Sequence, residues 1–346
     1  MDPVIVLSLV QDGLVNGAIY ALVAVALVLV FAITRVILIP QGEFVAFAAL
    51  SFAQLEQGLK PGTAGLLVAL GVIACVLDLI RDRRTLSARR VARRLILDIG
   101  GPAILYLLVG WLAPRQPGPV ICIVLTLLLV APMGPFLYRI AFRPLADASV
   151  LVLLIAAVGV HLALTALGLG FFGPEGFRAD PLIDASVELG GTVIQAQQII
   201  VVALSLVVML ALYLFFERTL FGKALRAVAI NRTGARLVGI PIGLSGQTAF
   251  ALATGIGAIS GILIAPVTML YYDSGFLIGL KGFVAAITGG MGNYLIAVAG
   301  AFGVGLVQSF AAFWTSTFME VVVFMLIVPV LLLRSLKSPA VEEEGG

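Results

Sequence analysis

Residues 217–246 read ERTLFGKALRAVAINRTGARLVGIPIGLSG, a charged island set between long apolar runs. Arg218, Lys223, Arg226, Arg232 and Arg236 stand there against a single acid, Glu217. Phe221, Leu225 and Val228 recur at helical spacing and share one face, while Lys223, Arg226 and Asn231 lie largely off it. Asn231 is placed to cap a second short helix with Ala235, Leu237 and Val238 at its core, ended by Gly239 and by Pro241 just beyond. A loop that only fixes membrane orientation by its positive charge needs no such structure. Capped helices inside the loop point to an element that a soluble partner grips.

The rest of the chain is lipid-soluble. Of 346 residues, 61% are hydrophobic and 11% charged, far below the roughly 25% charged content of an ordinary soluble domain. That composition excludes a soluble enzyme and requires a polytopic membrane protein. The 38 glycines fit close helix packing in lipid and helix breaks that line cavities. Cys75 and Cys122 fall inside apolar runs and read as small buried residues, not as a disulfide or a metal pair. Asp2 and Asp12 precede or enter the first apolar run with no basic residue before it, so the run is expected to remain as a helix and not to be removed as a signal peptide.

A span needs about 20 apolar residues. By that measure helices are expected near 13–34, 36–57, 62–80, 95–113, 119–138, 150–171, 196–216, 246–270, 276–290, 295–313 and 318–333. The fold class is therefore an all-α bundle of about 10–11 spans in one transmembrane domain over 1–346. The segment at 276–290 is short and interrupted by Gly279, Lys281 and Gly282, as a half-helix lining a cavity would be. Arg35, the 81–94 loop with seven arginines against Asp82, Arg139 with Arg143, the 217–246 island, and Arg334 with Lys337 all fall on one side if every helix crosses. The positive-inside rule makes that side cytoplasmic. The 173–193 loop, with Glu175, Asp180, Asp184 and Glu188 against Arg178, then lies outside, as does the N-terminus, and the C-terminus lies inside.

Several stretches stand out in order: Asn16-Gly17-Ala18-Ile19-Tyr20-Ala21-Leu22, Gln41-Gly42-Glu43, Phe142-Arg143-Pro144-Leu145 and Phe221-Gly222-Lys223-Ala224-Leu225-Arg226-Ala227, followed by Leu237-Val238-Gly239-Ile240 and by Leu280-Lys281-Gly282-Phe283-Val284-Ala285-Ala286 running into Gly289-Gly290-Met291-Gly292. Together they resemble the permease subunits of branched-chain amino acid ABC importers of the LivH/LivM type, the LivH-like half in particular. The chain departs from the family pattern at Leu38, Pro40, Asn293, Leu295 and His161. It also carries an inserted helical pair with the basic loop, within about 60–118, which preserves the parity of the topology.

The resemblance implies a permease in a bacterial inner membrane that forms half of a translocation pathway. Its implied partners are a homologous LivM-like permease subunit, two cytoplasmic ABC ATPases, a periplasmic or extracellular substrate-binding protein and membrane lipids, with no nucleic acid. The chain has no P-loop motif, so ATP and Mg are expected in the ATPase subunits and no cofactor or metal in this chain. The island over 217–246 then resembles a coupling element, with Phe221, Leu225 and Val228 filling an ATPase groove and Lys223, Arg226 and Arg232 at its rim. Gly222, Ala227, Asn231 and Gly239 shape it. The implied cargo is a branched-chain amino acid or a related small amino acid, amide or hydrophobic acid.

Candidate residues for the substrate pathway are Tyr20, Gln41, Gly42, Glu43, Lys281, Gly289, Gly290 and Gly292. A carboxylate at membrane depth is a functional candidate, yet Glu43 also suits the positive pole of a helix start with Pro40 in its first turn. Lys281 can meet a carboxylate substrate or snorkel to the surface. The glycines after 288 permit close backbone approach, or form a turn. His161, the only histidine, has no partner at metal-ligand spacing and is expected to hydrogen-bond within the bundle. Asp78 and Asp98 read as local charge partners of the 81–94 loop, which itself suits anionic lipid headgroups. The alternative reading, a transporter or channel driven by an ion gradient, would call for paired intramembrane acids, which are scarce.

Overall fold

A computed structural model describes residues 2–82, 87–189, 191–289 and 293–337. Helix α1 (Pro3–Thr34) opens with the Asp2 side chain accepting from the Val4 N–H and ends at Arg35, whose φ is 63°. It starts ten residues before the expected 13–34 span, because that cap and Pro3 in the first turn suit a helix start. Then follow α2 (Gln41–Glu56), α3 (Thr63–Arg81), α4 (Ala88–Arg94), a π-helical turn at Leu95–Gly100, α5 (Gly101–Leu112), α6 (Pro119–Val130) and α7 (Met133–Leu137), with a second π-helical turn at Tyr138–Phe142. Next come α8 (Val150–Phe172) and a hairpin of β1 (Ser186–Leu189) and β2 (Thr192–Gln195). The chain continues through α9 (Ala196–Arg218), α10 (Leu220–Ile230), α11 (Arg232–Leu237), α12 (Ile242–Ile264), α13 (Ser274–Thr288), α14 (Tyr294–Trp314), α15 (Met319–Met325) and α16 (Ile327–Lys337).

Among the described residues, 8 helices are long and apolar enough to cross a membrane. The expected 36–57 span differs: α2 has 16 residues, because residues 35–40 are not helical and Pro40 sets the start. The expected 276–290 segment is the 15-residue α13. Neither reaches the roughly 20 residues of a full crossing, and the expected 318–333 span is likewise divided, into the short α15 and α16.

Core and periphery divide cleanly. Helix α1 is the central post, with its most extensive contact to α14, and α2, α12 and α13 complete the inner layer. Gly13 and Gly17 of α1 lie directly against Phe302, Gly305 and Leu306 of α14. By contrast α8 and α9 bury few of their residues and present leucine, isoleucine and valine outward. An apolar helix that buries little of itself is what a lipid-facing position requires. Cys75 and Cys122 are free and buried within apolar helices.

The bundle has two chemically distinct ends. One carries the start of α1, the 173–195 segment and the end of α12, tied by backbone hydrogen bonds between Phe177 and Leu270 and by Arg178 donating to the Pro266 carbonyl. The other carries Arg35, the 139–143 arginines and the α10–α11 pair.

Candidate functional site

Two short helices meet back to back in the middle of the bundle. The Gln41 side-chain amide donates to the Ala253 carbonyl at 2.9 Å, which places the start of α2 level with the midpoint of α12. From there α2 rises to the acidic end, where the Glu56 carboxylate accepts from the Asp180 N–H. Helix α13 runs the opposite way. Its first turn crosses the first turn of α2 so closely that a β-carbon on Gly42 would lie 1.8 Å from the Gly275 carbonyl oxygen and 2.8 Å from the Gly279 nitrogen. Interrupted helices whose N-terminal ends converge at mid-depth are the usual construction of a transporter site, since the free N–H groups and positive dipole ends face the pathway.

Glu43 lies in the first turn of α2 and is 1% exposed. Its Oε1 meets His161 Nδ1 at 2.7 Å, and the imidazole stacks on Phe276 of α13 at 4.8 Å between ring centres. His161 is at the midpoint of α8, so the junction of the half-helices is braced from the lipid-facing layer as well. Glu43 is thus both a helix-start acid and a partner of His161. Among the described residues, its Oε2 and the Gln41 Oε1 are buried without a hydrogen-bond partner.

On the other flank of α13 opens a cavity of about 630 Å³. Ser274 and Lys281 of α13 line it, with Asp12, Asn16 and Tyr20 of α1 and Gln308 of α14. Lys281 pairs with Glu320 at 2.9 Å and lies near the Tyr20 ring, whose hydroxyl donates to Gln308 at 2.7 Å. Asp12 is held by Gln198 of α9. The cavity therefore has Lys281 on one wall and Asp12 on another within a lining that mixes polar side chains, among them Asn16, Thr268, Ser274 and Gln308, with aliphatic ones such as Val15, Ile264 and Ile278, which suits a small polar molecule with an apolar part.

The α10–α11 pair forms with the caps that the spacing predicts, but of the core expected for α11 only Ala235 is buried, since Leu237 and Val238 lie at its C-terminal end and point outward. Thr219 caps α10 by accepting from the Gly222 N–H, and Asn231 caps α11 by accepting from the Gly234 N–H at 2.8 Å. Gly239, at φ 85°, ends α11, with its N–H bonded to the Arg236 carbonyl and the Ile240 N–H bonded to that of Ala235. The groove-filling role expected for Leu225 and Val228 requires correction. Both are 1% exposed and pack with Leu29 and Ile33 of α1 and Ala249 of α12, because the apolar side of so short a helix is needed to seat it on its own bundle. Phe221 is half exposed, and the outward apolar residues are Leu220, Ile230, Leu237 and Val238. Lys223 and Arg226 are exposed, the latter paired with Glu217 at 2.6 Å, while Arg232 donates to the Ala146 carbonyl.

Asp78 and Asp98 are not primarily partners of the neighbouring basic loop. Arg139, some 40 to 60 residues away, donates two nitrogens to Asp98 at 2.8 and 2.6 Å and its Nε to Asp78 at 2.9 Å. Arg143 adds a bond to the second Asp78 oxygen at 3.1 Å. From the loop, Arg94 reaches the Asp78 carbonyl and pairs with Asp82, whose carboxyl its hydrogen bond holds below the usual range. Asp98 and Arg139 each sit in a π-helical turn, a widening that commonly marks functional positions.

The structure thus brings Gln41, Gly42 and Glu43 to the junction, and Tyr20 and Lys281 to the cavity. Gly289 lies apart, packed against Asn293 and Ala297. Gly290 and Gly292 lie outside the described residues, as do residues 83–86 of the basic loop. Asn16 stood at the head of a family stretch but was given no role, and Asp12, Gln308 and Glu320 were not proposed as pathway residues. The signal for Asp12, Gln308 and Glu320 is a polar residue inside or beside an apolar run, and Asp12 alone carried a charge within the first helix.

An inner layer of half-helices around a polar cavity, inside a lipid-facing shell, defines a multi-pass membrane permease. A sequence model of the branched-chain amino acid transport system permease component matches residues 9–332, and the chain belongs to that family. It is 29% identical over 230 residues to the high-affinity branched-chain amino acid permease protein BraD of Pseudomonas aeruginosa, covering 63% of this chain and 74% of the relative. It is 28% identical over 216 residues to LivH of Escherichia coli K12, covering 59% and 70%. No solved structure matches. The protein is a permease subunit of an ABC importer in the inner membrane, a transport component and not a catalytic one.

Proposed function

We propose that this chain forms half of the import pathway for branched-chain amino acids or a closely related small amino acid, amide or hydrophobic acid, and that the 630 Å³ cavity receives the cargo. The observation that carries this reading is the pairing of a cationic wall at Lys281 with an anionic wall at Asp12 beside the first turn of α13. A substrate carboxylate is matched by Lys281, on exchange of its bond to Glu320, and by that helix start, an ammonium group by Asp12, and an aliphatic side chain by Val15, Ile264, Leu277 and Ile278. Gly42 and Glu43 set the geometry of the junction, with no direct contact to cargo. Lys281→Met should lower uptake about tenfold, the size of one lost charge-assisted hydrogen bond, while Lys281→Arg keeps most of it. Uptake by proteoliposomes decides it, and full uptake by Lys281→Met would remove the cavity from the pathway.

The proposed orientation puts the N-terminus and the cavity mouth outside and the basic end in the cytoplasm. Cysteines introduced at Ser186 and Ser87 report it: an impermeant maleimide should label position 186 in intact cells and spare position 87. The reverse pattern would invert the topology.

On the cytoplasmic side, α10–α11 is the proposed seat of the ATPases, which bind ATP and Mg; a second, homologous permease subunit and an external binding protein complete the complex. Exposed apolar anchors within a basic rim support this. Leu237 is 83% exposed and Val238 76%. Leu237→Asp should detach the ATPases, at about 2 kcal/mol for a lost anchor, with the permease still folded. Leu225→Asp should instead lower the yield of folded permease, because it buries a charge in the chain's own core. Co-purification of ATPase with Leu237→Asp at the level of the unaltered chain would move the docking surface elsewhere.

A further inference from the structure

A second cavity, of about 520 Å³, opens at the basic end between the π-helical turn at 95–100 and the first turn of α12. Four arginines line it, Arg93, Arg94, Arg139 and Arg143, against two carboxylates, Asp78 and Asp98. The carboxylates are committed: Asp98 takes two bonds from Arg139, and Asp78 takes one from Arg139 and one from Arg143. Arg143 spends one nitrogen on Asp78 and its side chain is 36% exposed. Arg93 is exposed and makes no ion pair among the described residues. The cavity therefore holds spare guanidinium donors: Arg143, tied to the buried network through Asp78, and Arg93, exposed beside it.

Such donors match the paired oxygens of a phosphate group. The surroundings favour one source of phosphate. Leu95, Ile96 and Leu97 on the π-helical turn and Leu244 on α12 are all exposed, Ile96 at 67%, so an apolar surface leads directly away from the charged cavity. A soluble phosphate has no use for that surface; acyl chains do. We infer that this cavity is a binding site for the headgroup of an anionic phospholipid, wedged between the inserted helices and the start of α12, which follows directly on α11. A lipid here would tie the inserted pair to the segment beside the coupling element.

The full chain, purified with co-expressed partner subunits in mild detergent, tests this by native mass spectrometry. Phosphatidylglycerol or cardiolipin should be retained in preference to phosphatidylethanolamine. Arg93→Gln and Arg143→Gln should each reduce the retained anionic lipid about fivefold, the usual weight of one basic residue near a membrane surface. Arg89→Gln, on the same basic segment but outside the cavity, should leave it unchanged, and millimolar inorganic phosphate should not displace it. Absence of retained anionic lipid, an equal loss with Arg89→Gln, or displacement by inorganic phosphate would each overturn the assignment.

Discussion

Gly42→Val is expected to abolish uptake and to lower the yield of folded permease, while Gly170→Val on α8 leaves both near normal. At Gly42 the added β-carbon would meet the Gly275 carbonyl oxygen at 1.8 Å and its carbonyl carbon at 2.7 Å. These neighbours are backbone atoms of the first turn of α13, and they cannot rotate away as a side chain could. The clash is reciprocal, since a β-carbon on Gly275 would lie 2.6 Å from the Gly42 carbonyl oxygen. Relief requires the two half-helices to separate, which breaks the layer holding Glu43, His161 and Phe276 together. Overpacking a core costs about 1–3 kcal/mol where side chains can adapt, and more where they cannot. Gly170 has open space around its β-position. Fluorescence-detected size exclusion and proteoliposome uptake measure the two consequences, and normal uptake by Gly42→Val would mean that the half-helices do not meet as described.

The second large effect concerns Arg139. Its guanidinium satisfies Asp98 with two bonds and Asp78 with one, and all three side chains are about 10% exposed or less. Arg139→Met leaves Asp98 buried without its counter-charge, and breaking a buried pair from one side costs about 3–5 kcal/mol. The expected result is a large fall in the thermal unfolding midpoint. Arg139→Met combined with Asp98→Asn should recover much of the loss, since a neutral pair avoids the stranded charge. An unchanged midpoint in the single variant would show that the cluster is more hydrated than its burial suggests.

The all-α class, the membrane setting and the α10–α11 pair were legible in the sequence because each follows from local rules. Apolar run length, caps at Asn231 and Gly239, and charge asymmetry need no knowledge of distant residues. What was not legible is whatever depends on which helices touch. The amphipathic face of α10 was readable, but not that α1 and α12 occupy it, so Leu225 and Val228 were assigned to a partner when they serve the bundle. His161 was read as a hydrogen-bonding residue, yet nothing local links it to Glu43, 118 residues earlier. The cavity draws on α1, α13 and α14, so no single stretch advertises it. Arg139 pairing with Asp98 is a contact between the inserted helices and the helix that follows them, and neighbours in sequence gave the wrong partners.

The packing of α1 on α14 also sets an order of events during synthesis. Helix α1 is made before α14, and its glycine-lined face meets Phe302, Gly305 and Leu306 on that helix, which emerges about 260 residues later. At the usual elongation rate that interval lasts roughly 13–52 s. Through it the central post of the bundle stands in the membrane with its most extensive surface unmatched, held only by lipid or by a temporary neighbour. A ribosome that stalls before residue 294 would therefore release a chain whose spans are inserted but whose inner layer cannot close, an open-sided intermediate with the Gly13 and Gly17 face available to other helices and to quality-control proteases.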